Sequence, residues 1–414
     1  MAWERERLPL EQYVMQTIEN LQPKLVGLTQ ELIRRRSVNP PGDETEVAKV
    51  LHDELASIGM RVNLHEAVPK RVNLEATLRG LKEGPIFLFN GHTDVVPEGD
   101  HTKWTVDPFG GVVKGDLIFG RGAADMKGAL AAVTVGLRGI VDAGLELNGH
   151  VVFHAVADEE ENSLYGTRYM IDKGLAKADI GIVAEGSVFG HKIAIRPAVR
   201  GNCWIRLKTF GKAAHASNPS NGINAVLNMS RLLLALDKLR LEHRSHRILP
   251  DPTISAGTVI KGGTKTNVIP EYCEAEVDVR IVPGMTEQQV TREFSGVIER
   301  LTREDSEFAA SADVFSYTPA AEIPESSPII EAASNATQRV VGYTPMLAAG
   351  HGTNDSVYLI RDAGIPVICG FGPGDNDTSN AHGADENVSA SELVNFAKIY
   401  ALTAMSSLRY SNKR

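Results

Sequence analysis

The chain has 414 residues, 43% hydrophobic and 23% charged, with a formal net charge of -9 at pH 7. That length exceeds a comfortable single core and points to two domains or one with a large insertion, and the acidic balance speaks against a nucleic-acid binder, which needs a basic face for phosphates. No apolar run approaches the roughly 18 residues of a membrane span, the start MAWERERLPL has no apolar signal core, and Cys203, Cys273 and Cys369, far apart and without a CxxC pair, fit buried thiols in a reducing cytoplasm.

The spacing predicts a helix over about 10–36, stopped by the paired prolines of SVNPPGDE, and a second over about 44–59 that closes at Gly59. Strand-like runs follow in RVNLHEA, NLEATLRG and GPIFLFNGHTD. KGALAAVTVGLRGIVDAG has helical length and apolar spacing, and HVVFHAVAD and IGIVAEG are short apolar strands after it. Strands alternating with helices argue an α/β layer on a largely parallel sheet. Near residue 196 the pattern changes. AVRGNCWIRLKTFG alternates like a half-solvated strand, a helix covers about 222–240, and PTISAGTVIKGG and YCEAEVDVRIVPG look antiparallel. A helix at about 285–303 and a strand at about 307–316 complete a strand–helix–strand–strand–helix–strand unit of the split βαβ type. The α/β style then returns, with helices at about 328–341, 354–362 and 390–408 and a strand in IPVICGFG. The expected organisation is a larger domain, 1–196 and 317–414, interrupted by a small one, 197–316.

Polar residues gather just after the apolar strands. His92 and Asp94 stand at i, i+2, on one face of an extended chain, so Asp94 can fix the tautomer of the His92 ring. Asp125 lies in the glycine-rich turn GRGAADMKG before a helix that begins near Gly128. Glu159 and Glu160 follow one strand, Glu185 follows another, and AHGADE offers His382. Loops beyond the carboxyl ends of strands in an open α/β sheet converge on one crevice. Two histidines with several carboxylates and no thiolate suit zinc or another divalent first-row metal. The surplus of carboxylates hints at two metals bridged by one. Taken singly, each feature has an ordinary reading: a satisfied histidine in HxD, a solvated turn in DEEEN, a glycine turn in GRG without the third glycine of a dinucleotide fingerprint. Their combination at successive strand ends is what carries the metal reading.

GHTDVVP, GRGAADMKG, DEE, AEG and AHGADE, in this order, resemble the acetylornithine deacetylase, succinyl-diaminopimelate desuccinylase, aminoacylase and carboxypeptidase G family of dinuclear zinc metallopeptidases, from about residue 20 to the last helix. The resemblance implies a three-layer α/β catalytic domain of zinc-exopeptidase type, with a mixed, mostly parallel sheet, plus an inserted ferredoxin-like α+β lid through which the family dimerises. It implies that Asp125 bridges two divalent ions, zinc with cobalt or manganese as alternatives, His92 and Glu185 completing one site and Glu160 and His382 the other. Glu159 matches the general base and Asp94 the carboxylate that orients His92. His215 matches a lid histidine that donates to the oxyanion. Asn267, Arg280, Gly352 and Thr353 match substrate anchors, Arg280 for a carboxylate, and Arg200 is a candidate contact to an acidic acyl group. Met126 follows Asp125 through a link the family often holds cis. Asp158 and Glu161 are read as solvated or helix-start positions, His154 as a sheet residue and His351 as shaping its loop.

The expected function is metal-dependent hydrolysis of the amide of an N-acyl amino acid, with Glu159 taking a proton from a metal-activated water. Glu at 185 favours it, since deacylases and carboxypeptidases of the family carry Glu where aminopeptidases and dipeptidases tend to carry Asp. The alternatives are a carboxypeptidase or dipeptidase and hydrolytic C–N cleavage of a non-peptide catabolite. A catalytically idle binder is opposed by the complete set of ligand positions. The expected partners are a small carboxylate-bearing substrate and a second copy of the chain.

Overall fold

The structure is a computed structural model that describes residues 9–350 and 352–412, so the reading of His351 lies outside the described residues. It divides into two compact units, the first built from the segments up to Pro197, Glu322–Gly350 and from Asn354 onward, the second from Ala198–Ala321 with Gly352 and Thr353.

The first unit opens with two helices, Leu10–Asn20 and Gln22–Arg34, where one is expected. Pro23 sits in the first turn of the second. A proline there has no amide to give a preceding turn, and its ring forces the earlier helix to end. The helix Thr45–Ser57 stops before Gly59, whose φ of 84° turns the chain into the strand Arg61–Val68. A six-stranded sheet follows, in the order Arg61–Val68, Arg71–Leu78, His150–Val156, Ile86–His92, Ile180–Val183, Val367–Ile368. Its first two pairings are antiparallel and the other three parallel.

The parallel part decides where chemistry happens. Ile86–His92 lies between His150–Val156 and Ile180–Val183, with His92 opposite Val156 and Asn90 opposite Val183. All three strands therefore end together at one edge. Behind them the helix Gly128–Asp142 is buried nearly all round, which its Ala- and Gly-rich sequence permits. A side chain at Gly136 would collide with the Ala397 carbonyl, so glycine lets this helix approach the helix Ala390–Leu408 closely. Phe89, Phe371, Phe396 and Tyr400 pack ring against ring on the same core, and the Tyr400 hydroxyl donates to the Phe371 carbonyl at 2.8 Å.

The second unit is a four-stranded antiparallel sheet ordered Thr253–Gly262, Tyr272–Ile281, Gly201–Phe210, Ala309–Thr318, with helices Ala225–Asp237 and Glu287–Glu304. Burial along Tyr272–Ile281 alternates strictly, as one covered and one open face require. The three cysteines are free and buried. Among the described residues no helix is long and apolar enough to cross a membrane.

His154 lies within the sheet, fully buried beside Glu75, with no partner for Nε2. Burial pushes its imidazole down to about 4, against the pull of Glu75. As pH falls below the ordinary histidine value, the unfolded chain takes up a proton that the folded chain refuses, so stability is lost between about pH 6.5 and about 4. That loss amounts to roughly 3 kcal/mol. Urea titrations across this range should show a flatter acid limb for His154→Leu than for the wild type.

Candidate metal centre

Strand register brings the predicted side chains together. His92 closes its strand, Glu159 and Glu160 follow the strand that ends at Val156, and Glu185 follows the one that ends at Val183. Asp125 enters from an irregular turn, Ala123–Lys127, that runs into the helix Gly128–Asp142 and contains a cis Asp125–Met126 peptide. His382 is carried on the loop before the strand Asn387–Ser389, at a φ of 64°.

The two oxygens of Asp125 face two different imidazoles. Oδ1 is 3.0 Å from His92 Nε2 and Oδ2 is 3.1 Å from His382 Nε2. Glu185 Oε1 completes the His92 side at 3.4 Å, and Glu160 Oε2 the His382 side at 3.2 Å. Glu159 Oε2 stands 3.9 Å from His92 Nε2. Two triads thus share one carboxylate, and His92, Asp125 and Glu160, like His92, Glu159 and Glu185, could each hold a metal ion.

The comparisons with known proteins agree with this geometry. The family model "Peptidase family M20/M25/M40" matches residues 88–406. The chain belongs to this family. It is 31% identical over 390 residues to a succinyl-diaminopimelate desuccinylase of Parvibaculum lavamentivorans, covering 89% of this chain and 92% of the relative. It is 28% identical to N-formyl-4-amino-5-aminomethyl-2-methylpyrimidine deformylase of Bacillus subtilis, covering 92% and 94%. An M20 family metallo-carboxypeptidase from Sulfolobus solfataricus superposes with a TM-score of 0.78 at 19% identity, covering 92% of this chain and 98% of that one. A dinuclear metal-binding M20 peptidase from Bacillus subtilis does so at 0.69 and 18%, covering 94% and 99%. This M20 chain is a metal-dependent hydrolase of amide C–N bonds with the α/β catalytic fold of its family.

The donor set of this M20 site fits a pair of cations on its own chemistry. His92 Nδ1 lies 2.9 Å from the backbone carbonyl of Asp94, which makes Nδ1 the protonated nitrogen and leaves the Nε2 lone pair facing the oxygens of Asp125 and Glu185. Lone pairs that close need a shared cation between them. Glu160 Oε1 is buried without any hydrogen-bond partner. Asp125 and Glu160 hold a proton on His382 and push its imidazole up to about 10, and burial with the Asp125 charge raises Glu160 to about 7. Burial also raises Glu159 well above the carboxylate range, helped by Glu185 and Glu160 and opposed by His92.

Asn39, Arg71 and Glu386 help hold the site and were not singled out in the sequence. Asp94 accepts the amides of Glu159 and Glu160, both at 3.2 Å, and the Asn39 side chain at 2.8 Å. Asn39 and Asp158 are both held by the buried Arg71, at 3.3 and 2.9 Å. The reading of Asp158 as solvated is therefore wrong. Its carboxylate is buried, accepts the Tyr165 amide, and anchors the turn at a φ of 68°, whereas Glu161 is exposed. Glu386, four positions after His382, is fully buried and accepts the amides of Gly122, Ala124 and Asp125 at 2.9–3.0 Å together with Arg121. One carboxylate thereby sets the backbone that aims Asp125. The AHGADE motif contains this glutamate, and its spacing from His382 was the available signal.

The remaining predicted residues lie in the second unit. His215 is exposed on the short strand Ala214–His215, which pairs with Val268–Ile269, and Ser217 caps its Nδ1 at 2.7 Å. The carbonyl of Asn267 accepts the Ala216 amide, so His215 and Asn267 share one surface. Arg280 is half-buried and its fork is closed on Asp278 at 2.8 Å. Arg200 is buried and donates to Thr253 Oγ1 and the Asp251 carbonyl. Gly352 is exposed, and Thr353 Oγ1 is buried without a partner.

Glu386→Ala leaves Arg121 and three amides unpaired, a change worth about 3–5 kcal/mol when a buried ion pair loses one member. Denaturant unfolding should show that loss, and Glu386→Gln, which keeps one of the two acceptor oxygens, a smaller one.

Proposed function

We propose that this M20 enzyme removes the acyl group from an N-acyl amino acid, using two zinc ions held by His92, Asp125 and Glu185 and by Asp125, Glu160 and His382. The observation that carries the reading is the Asp125 carboxylate with one oxygen toward each histidine. The nitrogen and oxygen donors without thiolate suit zinc, with cobalt or manganese as substitutes. When bound, such a pair supplies the positive charge that acidifies water and polarises an amide carbonyl.

The chain's own residues do the rest. Glu159 accepts the proton of the attacking water and passes it to the leaving nitrogen, standing 3.9 Å from His92 Nε2 at the edge of the ligand cluster. Asp94 holds His92 through its carbonyl and the Glu159–Glu160 turn through its carboxylate. In the second unit we assign His215 to the oxyanion, and Asn267, Arg280, Gly352, Thr353 and Arg200 to the substrate, with the Arg280 fork exchanging Asp278 for a substrate carboxylate. The desuccinylase relatives support an acyl-amino-acid substrate. The deformylase relative favours a second reading, an N-acyl amine without a carboxylate.

The second unit we read as a lid and dimerisation domain, its partner a second copy of the chain. The edge strand Thr253–Gly262 exposes Val259 and Ile260, and the helix Ala225–Asp237 packed beside it exposes Leu227 and Leu234. An unpaired edge flanked by apolar side chains is what strand pairing across a two-fold axis would cover. Leu227→Glu combined with Ile260→Glu should turn a dimeric elution into a monomeric one in size-exclusion chromatography with light scattering.

Elemental analysis should find two metal equivalents per chain, lost together in Asp125→Ala. Glu159→Gln should keep both and lose roughly 10²–10⁴-fold in turnover. Unchanged turnover would falsify the role of Glu159. A panel of N-acetyl, N-succinyl and N-formyl compounds against dipeptides separates the readings, and hydrolysis of dipeptides alone would sink the deacylase assignment.

A further inference from the structure

Arg196 follows the strand Lys192–Ile195 in the first unit, and its side chain is nine-tenths buried. Nη1 donates to the Gly186 carbonyl at 2.9 Å, one residue beyond Glu185, while Nε is buried with no partner. The backbone of Arg196 exchanges hydrogen bonds with Cys369 and Gly370. The guanidinium lies so close over Gly370 that any side chain there would collide with it, and one at Gly350 would crowd it from another direction. Two glycines therefore make the room that the buried guanidinium itself fills.

That charge is uncompensated at close range. The other buried arginines of this unit are paired, Arg71 with Glu44 and Asp158 and Arg121 with Glu386. Among the described residues no carboxylate stands within ion-pair distance of Arg196 in the way one does for those two. A buried cation left so is costly unless something negative reaches it. Glu185, Asp125 and Glu159 act on it through space, though burial outweighs them. On the proposed reading Glu185 and Asp125 are engaged by metal, and the metals' own charge leaves Arg196 in need of an anion.

We propose that Arg196 is a receptor for a carboxylate of the substrate, seated in the first unit beside Glu185. This deepens the deacylase reading and rests on it for the substrate class, which becomes anionic N-acyl compounds. The carboxylate is either that of the amino acid or one carried by the acyl group.

The test uses the full chain, first without turnover. In thermal unfolding at fixed ionic strength, sodium succinate replacing sodium chloride should raise the midpoint of the wild type. Arg196→Met should lose at least half of the rise, and Arg196→Lys should lie between. Equal rises in wild type and Arg196→Met, or no rise over chloride in the wild type, would overturn the proposal. Should Arg196→Met fail to fold, Arg196→Lys against wild type reads the same difference.

Hydrolysis then separates the sources. An N-acetyl amino acid carries only the amino-acid carboxylate, an N-succinyl alkylamine only the acyl one, and an N-acetyl alkylamine neither. KM should rise about tenfold or more in Arg196→Met for the compound whose carboxylate is read, as expected for losing a charged hydrogen bond. The neutral compound should be unaffected. A uniform fall in kcat on all three with KM unchanged would make Arg196 a brace for Glu185 and overturn the receptor. A wild type that responds to succinate but hydrolyses none of the three would count against the amide reading and leave the receptor standing.

Discussion

One carboxylate shared between two imidazoles organises this molecule. Asp125 can face His92 and His382 at once only if its turn is fixed on every side. Glu386 fixes it by taking the amides of Gly122, Ala124 and Asp125, and Arg121 in turn neutralises Glu386. Lys127, buried two residues on, ties the same turn to the end of the helix Gln22–Arg34 through the Arg35 carbonyl. None of these groups touches the site's ligand atoms, yet each restricts where Asp125 can point. Holding a metal geometry is largely the work of such supporting hydrogen bonds.

The parallel strands contribute a different constraint. Their register aligns His92, the Asp158–Glu160 turn and Glu185 at one edge, so like charges are forced together by the backbone before any ligand arrives. Burial and mutual repulsion then raise Glu159 and Glu160. The sheet beneath is braced by charge pairs: Arg71 joins Glu44 and Asp158, and Asn39 joins Arg71 to Asp94.

This division also explains what could be read from sequence. The strand ends, the buried alanine-rich helix and the antiparallel small unit are periodic patterns, and His92, Asp125, Glu160, Glu185 and His382 stand at positions where such patterns stop. Asp158 was misread because a solvated turn and a turn clamped by a distant arginine have the same local sequence; Arg71 lies 87 positions away. The break at Pro23 was hidden by uninterrupted apolar spacing on either side of it. Glu386 and Arg196 show the general limit. A buried charge announces itself only through its partner, and the partner is chosen by the fold.

Arg196 is the instructive contrast with Arg71 and Arg121. All three guanidiniums are buried in the same unit, and two of them meet carboxylates supplied by the chain. The third meets a carbonyl and the bare backbone of Gly370. If its purpose were to brace Gly186, a neutral donor would serve without the cost of burying a charge, and a glycine at 370 would not be needed to make room for the planar group. A charge kept buried and without a carboxylate partner, bonded to the carbonyl one residue from Glu185, is better explained by a negative group that arrives from outside. The arrangement would then discriminate among substrates by leaving a buried cation unmatched whenever a neutral compound binds, a penalty that falls on binding rather than on the hydrolytic step.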